Sequence, residues 1–144
     1  MKHTNIVIVI LIIIIISILA LNFYQRYSIN KKINDAKDLI VIESPEPYQK
    51  VQNPIHIKGK ARGNFFFEGT FPFRIEDEYG KIISEGYLET KENWMTEDFV
   101  SFETYVYLYK ENVKRGFIVF EKANPSDLPE NKFEIWIPVY FDLE

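Results

Sequence analysis

An uninterrupted apolar run near the N-terminus constrains this chain most. Residues 6–16 read IVIVILIIIII, and after Ser17 the run continues as ILAL before Asn22. As an α-helix, residues 6–24 would span roughly 28 Å, close to the roughly 30 Å hydrocarbon core of a bilayer. An apolar stretch of this length is too long for a buried strand. The sequence therefore predicts one transmembrane helix, with residues 1–24 as an N-terminal membrane anchor.

A cleaved signal peptide is the alternative interpretation of this run, because the run lies near the start of the chain and follows Lys2. Cleavage requires small residues at positions −3 and −1, and Ala20 has Ile18 two positions before it. The cleavage signal is therefore poor, and we expect an uncleaved, single-pass anchor in the cell membrane.

The charges beside the anchor bear on its orientation. Arg26, Lys31 and Lys32 follow the apolar run, whereas Lys2 precedes it. The positive-inside rule applied to these residues favours a cytoplasmic C-terminal part, but long downstream domains translocate largely regardless of flanking charge. We expect an extracytoplasmic C-terminal domain, against the direction that the flanking charges favour.

The composition makes several classes of function improbable. The chain has no Cys, and His3 and His56 are its only histidines. A thiolate metal site therefore has no ligands, and a histidine metal site has at most two. A net charge of −4 provides no basic stripe for nucleic acid. We therefore expect no enzyme activity, no cofactor, no metal ion and no nucleic-acid partner. The sequence leaves the oligomeric state open.

Two further regions follow the anchor. Residues 25–38 are polar and mixed in charge, which predicts a stalk or a short surface helix, and residues 39–144 form the C-terminal domain. This domain contains 12 Lys and Arg against 19 Asp and Glu. We expect so acidic a domain to be repelled by anionic headgroups and wall polymers.

Short apolar segments with period-two alternation, separated by turn residues, dominate the C-terminal domain. Pro138 predicts an edge position for the last of these strands. Seven strands are predicted, at residues 39–43, 55–61, 71–76, 81–90, 100–108, 116–120 and 133–141.

This strand pattern without helical periodicity predicts an all-β fold, an immunoglobulin-like antiparallel β-sandwich preceded by the transmembrane helix. An OB-like barrel is the alternative fold. The last strand is expected to offer an open edge to which a partner strand can add.

The order of several short motifs resembles the immunoglobulin-like domain family of bacterial spore germination. The resemblance covers roughly residues 40–141 and implies an extracytoplasmic β-sandwich that mediates interactions and has no established catalytic residues. The motifs are IESP at 42–45, VQNP at 51–54, KGKA at 58–61, FEG at 67–69, DEYG at 77–80 and IPV at 137–139.

Three consecutive aromatic residues form the most suggestive local feature. Phe65, Phe66 and Phe67 lie in a predicted connection and cannot all face one core. A partner-binding patch is one interpretation. The other, which we favour, is that the rings cap the sandwich from either side.

Other aromatic residues are candidates for partner binding. Tyr105, Tyr107 and Tyr109 share the outward face of one strand, where such rings can stack on sugar or peptide. Solvated cross-strand pairing is the commoner explanation of such a row. Further candidates of this kind are Trp94, Trp136 and Tyr140.

Carboxylates next to one another occur at Glu76, Asp77 and Glu78, but they coincide with a predicted hairpin turn and lack an EF-hand spacing. A solvated turn is therefore favoured over a Ca²⁺ site. The features together predict a non-catalytic module that mediates interactions with an envelope protein or a cell-wall glycan. The alternative is a carbohydrate-binding or accessory cell-wall hydrolase domain.

Overall fold

The structure is a computed structural model that describes residues 2–109 and 113–143. The chain divides into two compact units, Met1–Lys32 and Ile33–Glu144. The first unit is helical, and the second contains all the strands of the described residues.

Helix α1 runs from Lys2 to Asp35. The stretch Ile6–Asp38 is long and apolar enough to cross a membrane, with a mean hydropathy of 3.4 in its most apolar window. Two polar side chains of the apolar run bond to the helix itself, because Ser17 donates to the carbonyl of Ile13 at 2.8 Å and Asn22 donates to the carbonyl of Ile18 at 2.9 Å. Such internal bonding suits a helix in lipid, where no water is available as a partner.

The second unit begins within the last turn of α1. A 3₁₀ helix, Ala36–Asp38, follows α1 directly. Ala36 is buried, and Ile33 packs against the core of the second unit. The polar segment after the apolar run is therefore helical, and its C-terminal end contributes apolar contacts to the sandwich.

Eight strands form two sheets in the described part of the second unit. One sheet has the strand order β1-β3-β6, and the other has the order β2-β8-β7-β4-β5. The strands are β1 (Ile40–Ser44), β2 (Lys50–Gln52), β3 (Ile55–Arg62), β4 (Thr70–Asp77), β5 (Ile82–Glu89), β6 (Phe99–Val106), β7 (Arg115–Glu121) and β8 (Glu134–Asp142).

This arrangement confirms the predicted all-β, immunoglobulin-like sandwich with an apolar helix before it, and not the OB-like barrel. All seven predicted strands are present. The additional strand is β2, which lies between two cis peptide bonds, Ser44–Pro45 and Asn53–Pro54. It pairs with β8 in parallel, so the sandwich is not purely antiparallel.

The predicted edge position of Pro138 is wrong. Its strand, β8, lies between β2 and β7, so β8 is not an edge of its sheet. Pro138 precedes the ladder with β2, which begins at Tyr140, and its carbonyl accepts a hydrogen bond from Tyr48 at 2.6 Å. The outer side of β8 is therefore partly covered, whereas β6 is bonded on one side only.

The core lies between the two sheets and is rich in aromatic rings. Phe71 of β4 is fully buried and makes edge-to-face contacts with Phe65, Phe66 and Phe102, with ring centroids 5.0 to 5.1 Å apart. Such contacts stabilise a core beyond the area that they bury. Phe102 belongs to β6, so these contacts join the two sheets.

Candidate interaction surface

The outward side chains of the three-stranded sheet form a surface of cations and aromatic rings. We call this surface the basic face. In antiparallel pairs, directly opposite residues lie on the same side of the sheet. The basic face consists of four such pairs of β3 and β6, namely His56 with Tyr105, Lys58 with Glu103, Lys60 with Ser101, and Arg62 with Phe99.

One end of the basic face is compensated in charge. The His56 ring stacks on Tyr105 with centroids 4.7 Å apart and planes 17° apart. His56 Nε2 lies 2.7 Å from Glu103 Oε1. Lys58 Nζ lies 4.0 Å from a carboxylate oxygen of Glu43 on β1. The carboxylates of Glu103 on the basic face and of Glu43 on the neighbouring strand therefore lie at this end.

The other end of the basic face has no close ion pair among the described residues. The Arg62 guanidinium lies 4.2 Å from the centroid of Phe99 and donates to the carbonyls of Asp38 and Glu97. Lys60 Nζ lies 5.5 Å from the same ring. Within residues 2–109 and 113–143, neither cation has a carboxylate within 4.0 Å. Lys60 is therefore the exposed cation of this end, whereas Arg62 is held beside two acidic residues.

Gly59 allows the strands beneath the basic face to approach closely. It lies between Lys58 and Lys60, facing inward. A Cβ atom there would lie 2.4 Å from the carbonyl oxygen of Val41 and 2.7 Å from the Phe102 ring. No other residue fits without displacement of backbone, so the spacing of β1 and β3 depends on this glycine.

The three consecutive phenylalanines do not form an exposed patch. Phe65 and Phe66 are both buried in the core, and Phe67 is 46% exposed. Both inner rings reach the core because a 3₁₀ helix, Gly63–Phe65, replaces the alternation of an extended strand. The surface-patch interpretation is therefore wrong for Phe65 and Phe66, which are inaccessible to a partner.

The tyrosine candidates are exposed. Tyr105 and Tyr107 are 58% and 57% exposed, and Tyr109 is 94% exposed. Tyr105 belongs to the basic face, and the other two follow the end of β6. Trp94, in the loop before β6, is partly buried and packs against the core, so it offers less surface to a partner.

The outward side of the five-stranded sheet carries three carboxylates around one cation. We call the surface formed by Arg74, Glu76, Glu121, Glu134 and Trp136 the acidic face. Arg74 pairs with all three glutamates, which come from three different strands. The Arg74 guanidinium also lies 5.2 Å from the Trp136 ring. Its side chain is only 14% exposed.

Burial and ion pairing oppose each other in this cluster. Burial alone would raise the pKa of Glu134, but hydrogen bonds and positive charge from Lys132 and Arg74 outweigh it and lower that pKa. Burial alone would lower the pKa of Arg74, but Glu76 and Glu134 outweigh it and raise that pKa. The directions of both shifts favour the charged forms of Arg74 and Glu134, which is a structural arrangement.

Two predicted aromatic residues lie on the outward side of the five-stranded sheet. Trp136 is 38% exposed and Tyr140 is 40% exposed, and both project from β8. Trp136 packs edge-on against Phe117, with centroids 5.6 Å apart. The structure therefore separates Trp136 and Tyr140 from Tyr105, because they lie on opposite sheets of the sandwich.

The three adjacent carboxylates at the β4–β5 turn have separate partners. Asp77 accepts hydrogen bonds from the backbone N–H groups of Tyr79 and Lys81, at 3.0 Å each. Glu76 pairs with Arg74, and Glu78 pairs with Arg115. They act as turn and strand contacts, and no cluster of three His, Asp or Glu that could hold a metal occurs among the described residues.

An open groove beside β2 is not predicted by the sequence pattern. Its volume is about 270 Å³. Lys50 and Asp142 form an ion pair of 2.8 Å in its wall. The strand beside this groove is not predicted from the sequence because β2 has only three residues, too few to show alternation. The lining residues are Ser44, Gln49, Lys50, Val51, Gln52, Pro54, His56 and Asp142.

Comparison with known protein families gives a match in the second unit. The model of the immunoglobulin-like domain of bacterial spore germination matches residues 39–128. No curated protein and no solved structure matches the chain. The matched range contains β1 to β7 and therefore the complete three-stranded sheet.

Proposed function

Because the chain belongs to the immunoglobulin-like domain family of bacterial spore germination, we propose that it is a membrane-anchored, extracytoplasmic and non-catalytic module that mediates interactions with an envelope protein or the cell wall. The helix and the domain together fit a membrane-anchored module. The observation that carries the proposal is that one chain joins an apolar helix of membrane-spanning length to this domain.

The basic face supports an interaction role. It presents the exposed side chains of Lys58, Lys60 and Tyr105, and the inward side chains of the same two strands are buried in the core. A rigid support holds contact groups in place before binding, which reduces the entropy lost on association. Domains of this family are typically non-catalytic, which agrees with a binding function.

Topology is the first test of the proposal. A tag placed after Glu144 is followed during protease treatment of intact cells, with a cytoplasmic protein monitored in parallel. Loss of the tag while the cytoplasmic protein survives supports an extracytoplasmic domain. Protection of the tag until the membrane is permeabilised would contradict it, and would mean that Arg26, Lys31 and Lys32 determine the orientation.

Partner capture is the second test. The full chain in detergent micelles is mixed with solubilised envelope proteins and, separately, with purified insoluble cell wall. Retention by either material supports the proposal. Retention by neither would count against an interaction function, and turnover of wall glycan by the full chain would contradict the non-catalytic assignment and favour an accessory hydrolase.

Carbohydrate binding is a second candidate, favoured by the exposed rings of Tyr107 and Trp136. Aromatic rings of this exposure can stack on sugar rings. Because the two residues lie on different parts of the sandwich, Tyr107→Ala and Trp136→Ala test different surfaces. Loss of neutral-glycan binding in either variant would support this candidate. Unchanged binding in both variants would show that these two rings do not contact the glycan.

A further inference from the structure

We propose that the outer edge of β5 binds an extended segment of an envelope protein by strand addition, and that this segment carries basic residues at alternate positions. Three residues with outward backbone groups, Glu85, Tyr87 and Glu89, form this edge, which we call the β5 edge. The inference rests on the proposed function, because an envelope protein is one of the partners proposed there, and it names the chemistry that would recognise that protein.

Strand β5 is an edge of its sheet over eight residues. It pairs with β4 on one side, and no described strand pairs with its other side. An edge strand presents a row of unpaired backbone N–H and C=O groups, and proline, lysine or a bulge often protects such a row. Residues 84–89 contain neither proline nor lysine, and the irregularity in the register lies between Ile82 and Ser84. The backbone of the β5 edge is therefore open to a further strand.

One hydrogen bond shows which backbone groups point outward. The N–H of Thr90 donates to the carbonyl of Gly69 at 3.0 Å, and these two residues continue the register of β5 and β4. Hydrogen-bonded and non-bonded pairs alternate along an antiparallel ladder. Gly86 and Leu88 therefore bond to β4, whereas the backbone groups of the β5 edge point away from it. No described residue outside β4 forms a backbone hydrogen bond with the β5 edge.

The side chains of the β5 edge favour a basic partner. Both glutamates are exposed, and Tyr87 is 73% exposed. Arg74 lies opposite Glu85 in the register, but it pairs with the three glutamates of the acidic face instead. Glu89 lies opposite Thr70, which has no charge. Because opposite charges stabilise directly opposite positions of two strands, Lys or Arg in an added strand suits both glutamates.

The same side chains disfavour a second copy of this chain as the partner. If two copies of β5 paired in antiparallel about Tyr87, Glu85 of each copy would lie opposite Glu89 of the other. Like charges at directly opposite positions are destabilising. A segment with basic residues at these positions forms two opposite-charge pairs instead. The acidic excess of the domain, 19 Asp and Glu against 12 Lys and Arg, also attracts such a segment.

The other described edges are less suited to strand addition. Strand β6 is also bonded on one side only, but its outward side chains are engaged by β3. Tyr105 stacks on His56, Glu103 lies 2.7 Å from the same His, and the Phe99 ring lies beside Arg62. Strands β1 and β2 have five and three residues. The β5 edge is therefore the longest described edge whose charged side chains are not already paired.

The first test compares two peptides of opposite charge. The full chain is placed in nanodiscs of phosphatidylcholine, so that a basic peptide does not bind anionic lipid. The probes are the dye-labelled peptides SKVYVKS and SEVYVES, and fluorescence anisotropy measures their binding. We expect the basic peptide to bind at least about tenfold more tightly, because two opposite-charge pairs replace two like-charge pairs. Equal binding of the two peptides, or no binding of the basic peptide, would overturn the inference.

A modified peptide tests whether the backbone pairs with β5. N-methyl groups on the backbone nitrogens of the Tyr and both Lys of SKVYVKS remove the donors that strand addition needs, and they leave the side-chain charge unchanged. We expect at least about fivefold weaker binding, because the hydrogen bonds to β5 are lost. Equal binding of the methylated and unmethylated peptides would show that charge alone attracts the peptide, and would overturn the inference.

A charge-matched pair of double variants locates the site. Glu85→Lys with Glu89→Lys reverses the charge of the β5 edge. Glu97→Lys with Glu130→Lys makes the same change of charge at exposed positions outside β5. We expect the first variant to prefer SEVYVES and the second to keep the preference of the parent chain for SKVYVKS. The same change of preference in both variants would show a non-specific charge effect and overturn the inference.

Further measurements separate this inference from other outcomes. Since the chain has no Cys, Tyr87→Cys and Tyr79→Cys each create one exposed thiol. Selective crosslinking between copies of Tyr87→Cys in cell membranes would assign the β5 edge to a second copy and overturn the inference. Failure of the peptide tests, with the chain still retained by envelope proteins or wall, would overturn the inference while the proposed function stands. Protection of the C-terminal tag in intact cells would contradict the proposed function itself.

Discussion

The two outward surfaces of the sandwich use charge in opposite ways. On the acidic face, Arg74 is enclosed by three carboxylates and a Trp ring, and Val119 beneath is fully buried. On the basic face, Lys60 is exposed and has no carboxylate partner among the described residues. Charge that is satisfied internally stabilises the fold, whereas charge that is left open can bind a ligand.

The position of each cation in its sheet explains the difference. Arg74 lies on β4, between β5 and β7, where carboxylates from three strands converge. Lys60 lies on β3, whose neighbours place Val41 and Ser101 opposite it. Neither of these residues has a charge, and no ion pair of Lys60 within 4.0 Å occurs among residues 2–109 and 113–143.

Removal of one arginine from each face should lower the free energy of unfolding by different amounts. Arg74→Met leaves the half-buried carboxylates without their cation, and we expect a loss of about 3 kcal/mol in the free energy of unfolding. The matched variant, Arg62→Met, loses hydrogen bonds to two carbonyls and should lose about 1 kcal/mol. Thermal unfolding of the full chain followed by circular dichroism measures both. Equal losses would contradict the distinction between the faces.

Removal of one aromatic ring from each face gives a smaller effect. Trp136→Ala loses contacts with Phe117 and Arg74, and we expect a loss of about 2 kcal/mol. Tyr105→Ala removes an exposed ring that touches His56 and should lose about 0.5 kcal/mol. The same unfolding measurement applies. A larger loss for Tyr105→Ala would show that the basic face is also part of the structural framework.

Acid should reduce the stability that the ion pairs of the acidic face contribute to the fold. The pKa of Glu134 is lower in the folded chain than its ordinary value of 4.5, so its ionised form contributes stability above that value. This contribution is lost as the pH falls through the folded pKa. Glu134→Gln should therefore have a flatter unfolding profile between pH 6 and 3. An unchanged profile would show that the ion pairs of Glu134 do not stabilise the fold.

The smallest effect on stability is expected at Lys60. Because its ammonium group is exposed, Lys60→Gln should change the free energy of unfolding by less than about 0.5 kcal/mol. Urea unfolding followed by the fluorescence of Trp94 and Trp136 provides the measurement. A loss above about 1 kcal/mol would show that this lysine has a structural partner, and would weaken its assignment to ligand binding.

The sequence predicted the features that depend on alternation. Strand β3 shows it clearly, because Ile57 and Ala61 are buried while Lys58 and Lys60 are exposed. Strand β2 was missed because three residues carry too little pattern. The parallel pairing of β2 with β8 makes β8 an interior strand, contrary to the edge position predicted from Pro138.

The candidate sites were harder to predict because they depend on contacts between distant residues. The burial of Phe66 follows from a 3₁₀ turn that replaces strand geometry. The Arg74 cluster requires Glu121 and Glu134, which are far away in sequence. Net charge predicted repulsion of anions, but it could not show that the cations of β3 share one surface.

Binding of cell wall to the basic face is tested most directly by the protection of an introduced thiol on that face from labelling. Since the chain has no Cys, Ser101→Cys and Glu85→Cys each create one thiol, on β6 of the basic face and on β5 of the five-stranded sheet. Each full-chain variant is labelled with a maleimide, with and without purified cell wall. We predict that the wall slows labelling at position 101 and leaves position 85 unchanged. Protection at position 85 alone, or equal protection at both positions, would contradict the account.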